Sequence, residues 1–90
     1  MEYKKYENIA EKLKVLAHPV RLCIVKGLSE NERGVNEMCD CLQAPQPTIS
    51  LHLSKLKAAG IVECERSGNN MIYRIKDEKL AKIILSIMEL

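Results

Sequence analysis

The stretch from Gln46 to Gly60 sets the tightest limit on what this chain can fold into. Pro47 suits a helix's first turn, where its missing N–H would have been unpaired, and Gly60 suits the left-handed stop just past a helix end. Between them Ile49, Leu53 and Leu56 recur at four- and three-residue steps, so a helix here has one narrow apolar stripe that must dock on a small core. The same spacing gathers Thr48, His52 and Lys55 on the opposite face, with Leu51 beside them and Ser50, Ser54 and Lys57 on the flank. No acidic residue occurs from Leu42 through Val62. Short hydroxyls, an imidazole and lysines in an acid-free stretch suit base edges and phosphates, so this helix is a candidate for a DNA major groove.

Charge partition supports that reading. Residues 1–41 carry seven Lys/Arg against seven Asp/Glu, residues 42–76 five against two, and residues 77–90 two against three, so the positive excess surrounds the candidate helix. Phe and Trp are absent and Tyr occurs three times, which argues against aromatic stacking on single-stranded bases. Ninety residues make one domain, 1–90, with a modest core that a partner subunit would reinforce. Neither a bilayer-length apolar run nor a signal-like segment is visible, so the expectation is a cytoplasmic protein without a membrane partner. In that setting the four Cys are reduced thiols or metal ligands rather than a disulfide framework.

Taken in order, Tyr6, Ile9, Ala10, Leu13, Leu16 and Ala17 keep helical spacing, and the helix should end near His18, before Pro19. Pro19 opens a second helix, in which Cys23 is expected as a small core hydrophobe beside Val20, Ile24 and Leu28. Val35 is expected in a short strand and Asn36 as the N-cap of a third helix running to about Leu42. The turn Gln43 to Gln46 then joins it to the fourth, and the pair reads as a helix-turn-helix. Ile61–Arg66 and Met71–Lys76 alternate around Ser67-Gly68-Asn69-Asn70, which predicts a β-hairpin wing whose tip offers Arg66, Asn69 and Asn70 to a phosphate or the minor groove. Asp77 can cap a last helix with Leu80, Ile83, Ile84 and Ile87 on one side, more apolar surface than a terminal helix here needs. The surplus predicts a homodimer interface of Leu80, Ile83, Ile84 and Ile87, shared with Tyr6, Ile9 and Leu13 of the first helix. The fold class is mainly α with a β-hairpin wing, in the order α1-α2-α3-α4-β-β-α5.

Leu16-Ala17-His18-Pro19-Val20-Arg21-Leu22-Cys23-Ile24-Val25, Val35-Asn36-Glu37-Met38, Gln46-Pro47-Thr48-Ile49-Ser50-Leu51-His52-Leu53 and Ala59-Gly60-Ile61-Val62, in that order, resemble the ArsR/SmtB family of metal- and stress-responsive repressors. The resemblance implies a winged-helix homodimer that holds double-stranded operator DNA and releases it when an inducer binds. By position, it implies DNA contacts at Gln46, Thr48, Ser50, Leu51 and His52, with the wing contributing near Arg66 to Asn70. Pro45 stands where the family usually has Ser, a natural cap.

The inducer is less legible. Cys39 and Cys41 form a Cys-x-Cys that resembles the thiophilic metal or metalloid site of arsenic- and cadmium-responding relatives, displaced from the register in which those cysteines would fall at Gly34 and Asn36. Cys39 also follows Val35-Asn36-Glu37-Met38 as the first cysteine of sulfide- and redox-responding relatives follows its own segment, but their second cysteine, in the last helix, has no counterpart in residues 77–90. A first-turn place in the third helix would favour a Cys39 thiolate, against the opposing charges of Glu37 and Asp40. A zinc-type site on the last helix is not expected, since Lys79 stands where a histidine is wanted and no His follows His52. Cys64, between two glutamates in a strand, reads as structural. No nucleophile and base pair, phosphate loop or catalytic His and carboxylate spacing is visible, so an enzyme is not expected. The alternative to a DNA-binding repressor is a winged-helix module turned to protein binding, or a regulator without a thiol sensor.

Overall fold

His18 stands at the joint between the first two helices because of the proline that follows it. A residue before proline is driven out of helical angles, and His18 is extended at φ −153°, ψ 128°. Helix α1 (Glu7–Leu16), entered by a 3-10 turn at Lys4–Tyr6, stops just ahead of it, and α2 (Pro19–Glu30) starts just behind. The His18 Nδ1 accepts from the Val20 N–H at 3.1 Å and so caps α2. The computed structural model describes residues 1–90.

A two-residue strand β1 (Arg33–Gly34) leads directly into α3 (Val35–Leu42), and α4 (Gln46–Ala58) follows after the turn. The hairpin of β2 (Val62–Ser67) and β3 (Asn70–Ile75) precedes α5 (Glu78–Met88). Strand β1 pairs antiparallel with β3, Arg33 opposite Tyr73 and Gly34 opposite Ile72, so the wing is a three-stranded sheet ordered β1-β3-β2. This pairing corrects the expected start of the third helix. Strand and cap both fall earlier, with Gly34 rather than Asn36 at the N-cap position, because Val35 turns inward against the core as the first helical residue. Cys39 is therefore the fifth residue of α3 and lies beyond its first turn.

Between α3 and α4, Gln43 takes the left-handed conformation at φ 51°, which reverses the chain in three residues. Pro45 offers no side-chain cap to α4; its carbonyl instead accepts from the Thr48 and Ile49 N–H groups at 3.0 and 3.2 Å. Gly60, at φ +76°, ends α4 as expected, and the Ile61 N–H returns to the Leu56 carbonyl at 3.0 Å. At the wing tip Gly68 alone takes positive φ, the pattern of a two-residue loop with glycine first. Asn70 is consequently a strand residue paired with Ser67, and Asn69 is the second residue of the loop.

Ile49, Leu53 and Leu56 of α4 are fully buried and meet Leu16, Ile24, Val25, Leu28, Met38, Ile61 and Val62, with Leu80, Ala81 and Ile84 of α5 closing the core. At roughly 1.5–3 kcal/mol for each large aliphatic side chain, this burial is the main force holding α4 in place. Asp77 ties α5 back to α1. One carboxylate oxygen accepts from the Leu80 N–H at 3.1 Å and the other meets Lys12 Nζ at 2.6 Å. Those bonds hold the Asp77 carboxyl below its usual pKa, the Lys12 contact contributing most.

Candidate nucleic-acid interface

With the Ile49, Leu53 and Leu56 stripe inward, α4 presents Gln46, Thr48, Leu51 and Lys55 to solvent and leaves Ser50 half-buried. His52 does not belong to this face. It is only 8% exposed, its Nδ1 accepts from the Arg21 Nε at 3.0 Å, and its ring lies 4.6 Å from that of His18. An imidazole that uses Nδ1 as acceptor carries its proton on Nε2 and is neutral. Burial lowers the His52 pKa, and the neighbouring His18 and Arg21 lower it further. The expected base contact at His52 is thus corrected to an internal link between α2 and α4. Ser54, read from sequence as flanking, is exposed and joins the outward surface.

Leu51 is 57% exposed in the middle of this polar face. A bare aliphatic side chain there is suited to a thymine methyl, one of the few apolar features of a major groove. Next to α4, Arg66, Asn69 and Asn70 are exposed on the wing. A concavity of ≈ 320 Å³ joins the two, bounded by Gln46 at the head of α4, by Asn69 and Asn70, and by Asn36 at the start of α3. Asn36 joins this concavity because the fold sets the start of α3 beside the wing, a proximity that sequence spacing does not reveal.

Electrostatics sharpen the face. The two acidic residues of the 42–76 segment, Glu63 and Glu65, are both engaged by Arg74, at 2.9 and 2.8 Å, and Glu32 reaches the same guanidinium at 3.3 Å. Arg74 is therefore held more firmly protonated than usual by these carboxylates. Lys55, Lys57 and Arg66 form no salt bridge, which leaves their charge available to a polyanion.

Residues 18–63, from the cap of α2 through α4 into the wing, match the family described as bacterial regulatory protein, arsR family. The chain belongs to that family. It is 44% identical over 92 aligned positions to the HTH-type transcriptional regulator MJ1325 of Methanocaldococcus jannaschii, covering 97% of this chain and 99% of that protein. It is 52% identical over 75 residues to the HTH-type transcriptional repressor SmtB of Mycobacterium tuberculosis, covering 83% of this chain but 56% of SmtB, so it spans little more than half that relative's length. Among solved structures, the homodimeric winged helix-turn-helix DNA-binding domain of Mb0332 from Mycobacterium bovis superposes with a TM-score of 0.87 at 30% identity, covering 98% of this chain and 83% of that one.

In this arsR-family domain the apolar surface expected at a dimer contact divides. Tyr6, Ile9 and Leu13 of α1 and Ile83 and Ile87 of α5 are exposed. Leu80 and Ile84, expected with them, are each 6% exposed and belong to the core, because α5 is apolar on both sides and its inner row fills the space above α2. No helix is long and apolar enough to cross a membrane.

The thiols divide between core and surface. Cys39 is half-buried and packs against the core, whereas Cys41 is exposed, so the Cys-x-Cys pair does not face one ligand. Two residues of a regular helix are about 200° apart around its axis. Cys23, expected in the core, is exposed on α2. It shares with Cys41 a cavity of ≈ 160 Å³ between α2 and α3. Cys64 is half-buried opposite Tyr73 in the β2/β3 ladder, and Tyr73 is pushed above its usual pKa by burial and by that thiol. No group of three or more His, Cys, Asp or Glu side chains is placed to hold a metal ion.

Proposed function

We propose that this chain is a transcriptional repressor that binds double-stranded operator DNA as a homodimer and leaves it when a thiophilic inducer, a metal or metalloid ion or a reactive sulfur species, is bound. The observation that carries this reading is the outward face of α4. Gln46, Thr48, Leu51, Ser54 and Lys55 are solvent-exposed on a helix fixed by three buried aliphatics, with unpaired Lys57 and Arg66 beside it. A polar face with one exposed leucine and free cations fits a major groove, and a wing carrying Asn69 and Asn70 fits the adjoining backbone. Two such units related by a two-fold axis, joined through α1 and α5, would address half-sites about one helical turn, or about 34 Å, apart. That SmtB is a repressor and that the Mb0332 domain is a DNA-binding homodimer support the same reading.

The test is selection of sites from random duplexes, followed by titration of the selected site at rising salt. The expected product is an inverted repeat bound with steep salt dependence, and inducer titration of that complex should release it. Selection of no sequence, with salt-independent association to a protein partner, would favour the interaction-module reading.

A further inference from the structure

We propose that Cys23 of α2 and Cys41 of α3 form a two-thiolate site for a cuprous ion in the cavity between the two helices. The cysteines come from different helices, both are exposed, and both line the same ≈ 160 Å³ space. Met38, Ile24 and Leu42 supply the rest of its apolar wall. The only other sulfur there is the Met38 thioether, and neither a carboxylate nor an imidazole lines the cavity. A lining whose side-chain donors are thiols and a thioether selects soft ions, and among the first-row metals Cu(I) is the one that two thiolates can satisfy. Zinc requires four donors and is not served by two thiols with no third Cys, His or carboxylate nearby.

Charge fits as well. Two thiols lose two protons and bind one Cu⁺, leaving a unit of charge −1, with no change in oxidation state. Arg33 stands in the wall of the cavity, its Nε bonded to the Gly27 carbonyl at 3.1 Å. A Cβ at Gly27 would meet that Nε at 3.4 Å, an ordinary contact distance, so the guanidinium lies directly against this turn of α2. Arg33 already pairs with Glu37 and Glu30 at 3.1 and 3.5 Å, both exposed, and can redirect its charge to the new anion.

Occupation would tie α3 to α2. Helix α2 also holds α4 through Arg21 and His52, while α3 is joined to α4 by the turn at Gln43, so a bridge between α2 and α3 bears on both attachments of the reading helix. This consequence rests on the repressor reading; the binding itself does not.

The experiment titrates the reduced full chain, without DNA and without oxygen, with Cu(I) against a colorimetric chelator, following near-ultraviolet thiolate-to-copper absorbance. The wild type should take about one ion per chain. Cys23→Ser and Cys41→Ser should each abolish chelator-resistant binding while keeping the native circular dichroism, and Cys39→Ser should bind as the wild type does. Loss in Cys39→Ser, or retention in Cys23→Ser, would overturn the site. Tighter capture of arsenite or Cd²⁺ than of Cu(I) by the same pair would overturn the ion. Copper bound through both cysteines without any fall in affinity for a selected operator would overturn the regulatory consequence, and failure to bind any operator would count against the repressor reading alone.

Discussion

Arg21 donates from Nε to the Nδ1 of His52 at 3.0 Å and from a terminal nitrogen to the Val15 carbonyl at 3.1 Å, so one guanidinium fastens α4 to α2 and to the end of α1. His52→Ala should therefore act first on stability. It strips a part-buried donor of its partner, which costs about 1–3 kcal/mol. Urea denaturation should show the midpoint falling by a corresponding amount. An unchanged midpoint with lost operator affinity would return His52 to the DNA-contacting face.

The same residue makes stability fall in mild acid. The folded state holds His52 neutral, with its pKa below the ordinary 6.5, so the unfolded chain binds more protons in the window between the two values. The stabilisation is full above pH 6.5 and drains as pH drops through the folded pKa. His52→Asn keeps an acceptor for Arg21 but cannot titrate, and should flatten this part of the melting-temperature profile. Asp77, depressed below its ordinary 3.8, adds a second loss only in stronger acid. A profile equally steep in wild type and His52→Asn below pH 6.5 would assign the loss elsewhere.

Specific and general DNA contacts should separate by residue. Leu51→Ala and Thr48→Ala should weaken a selected operator by about 1–3 kcal/mol for each lost base contact and leave random DNA nearly unaffected. Lys55→Ala should weaken both and lower the salt slope by about one. Ser54→Ala is expected to behave like the first pair, because Ser54 is exposed and His52 is not. Parallel losses for all four on both duplexes would place the reading surface elsewhere.

Neighbouring isoleucines of α5 should have different phenotypes. Ile83→Asp and Ile87→Asp put charge on exposed apolar positions and should convert a sedimenting dimer to folded monomer. Ile84→Ala, one residue from Ile83, hollows the core and should cost about 2–5 kcal/mol. Dimers that survive both aspartates would leave the α1 and α5 surface without this role.

Which residues form the helices was legible in the chain because the signals are local. Pro19, Pro47 and Gly60 act on their own backbone and that of their neighbours, the spacing of Ile49, Leu53 and Leu56 is a property of one segment, and Gly68 sets the wing tip within four residues. Tertiary packing alone decided how far each helix is rolled about its axis. His52 is four residues from exposed Thr48 and three from buried Ile49, so it sits on the border of the two faces, and only Arg21 and His18, more than thirty residues away, draw it inward. Periodicity likewise grouped Leu80 and Ile84 with Ile83 and Ile87, since an α5 apolar on both sides gives no angle at which to divide them until α2 lies against one side. That Cys23 and Cys41 line one cavity, while Cys39 does not line it, has the same origin. Spacing fixes angles within a helix, whereas a shared cavity depends on which faces of two helices are turned toward each other.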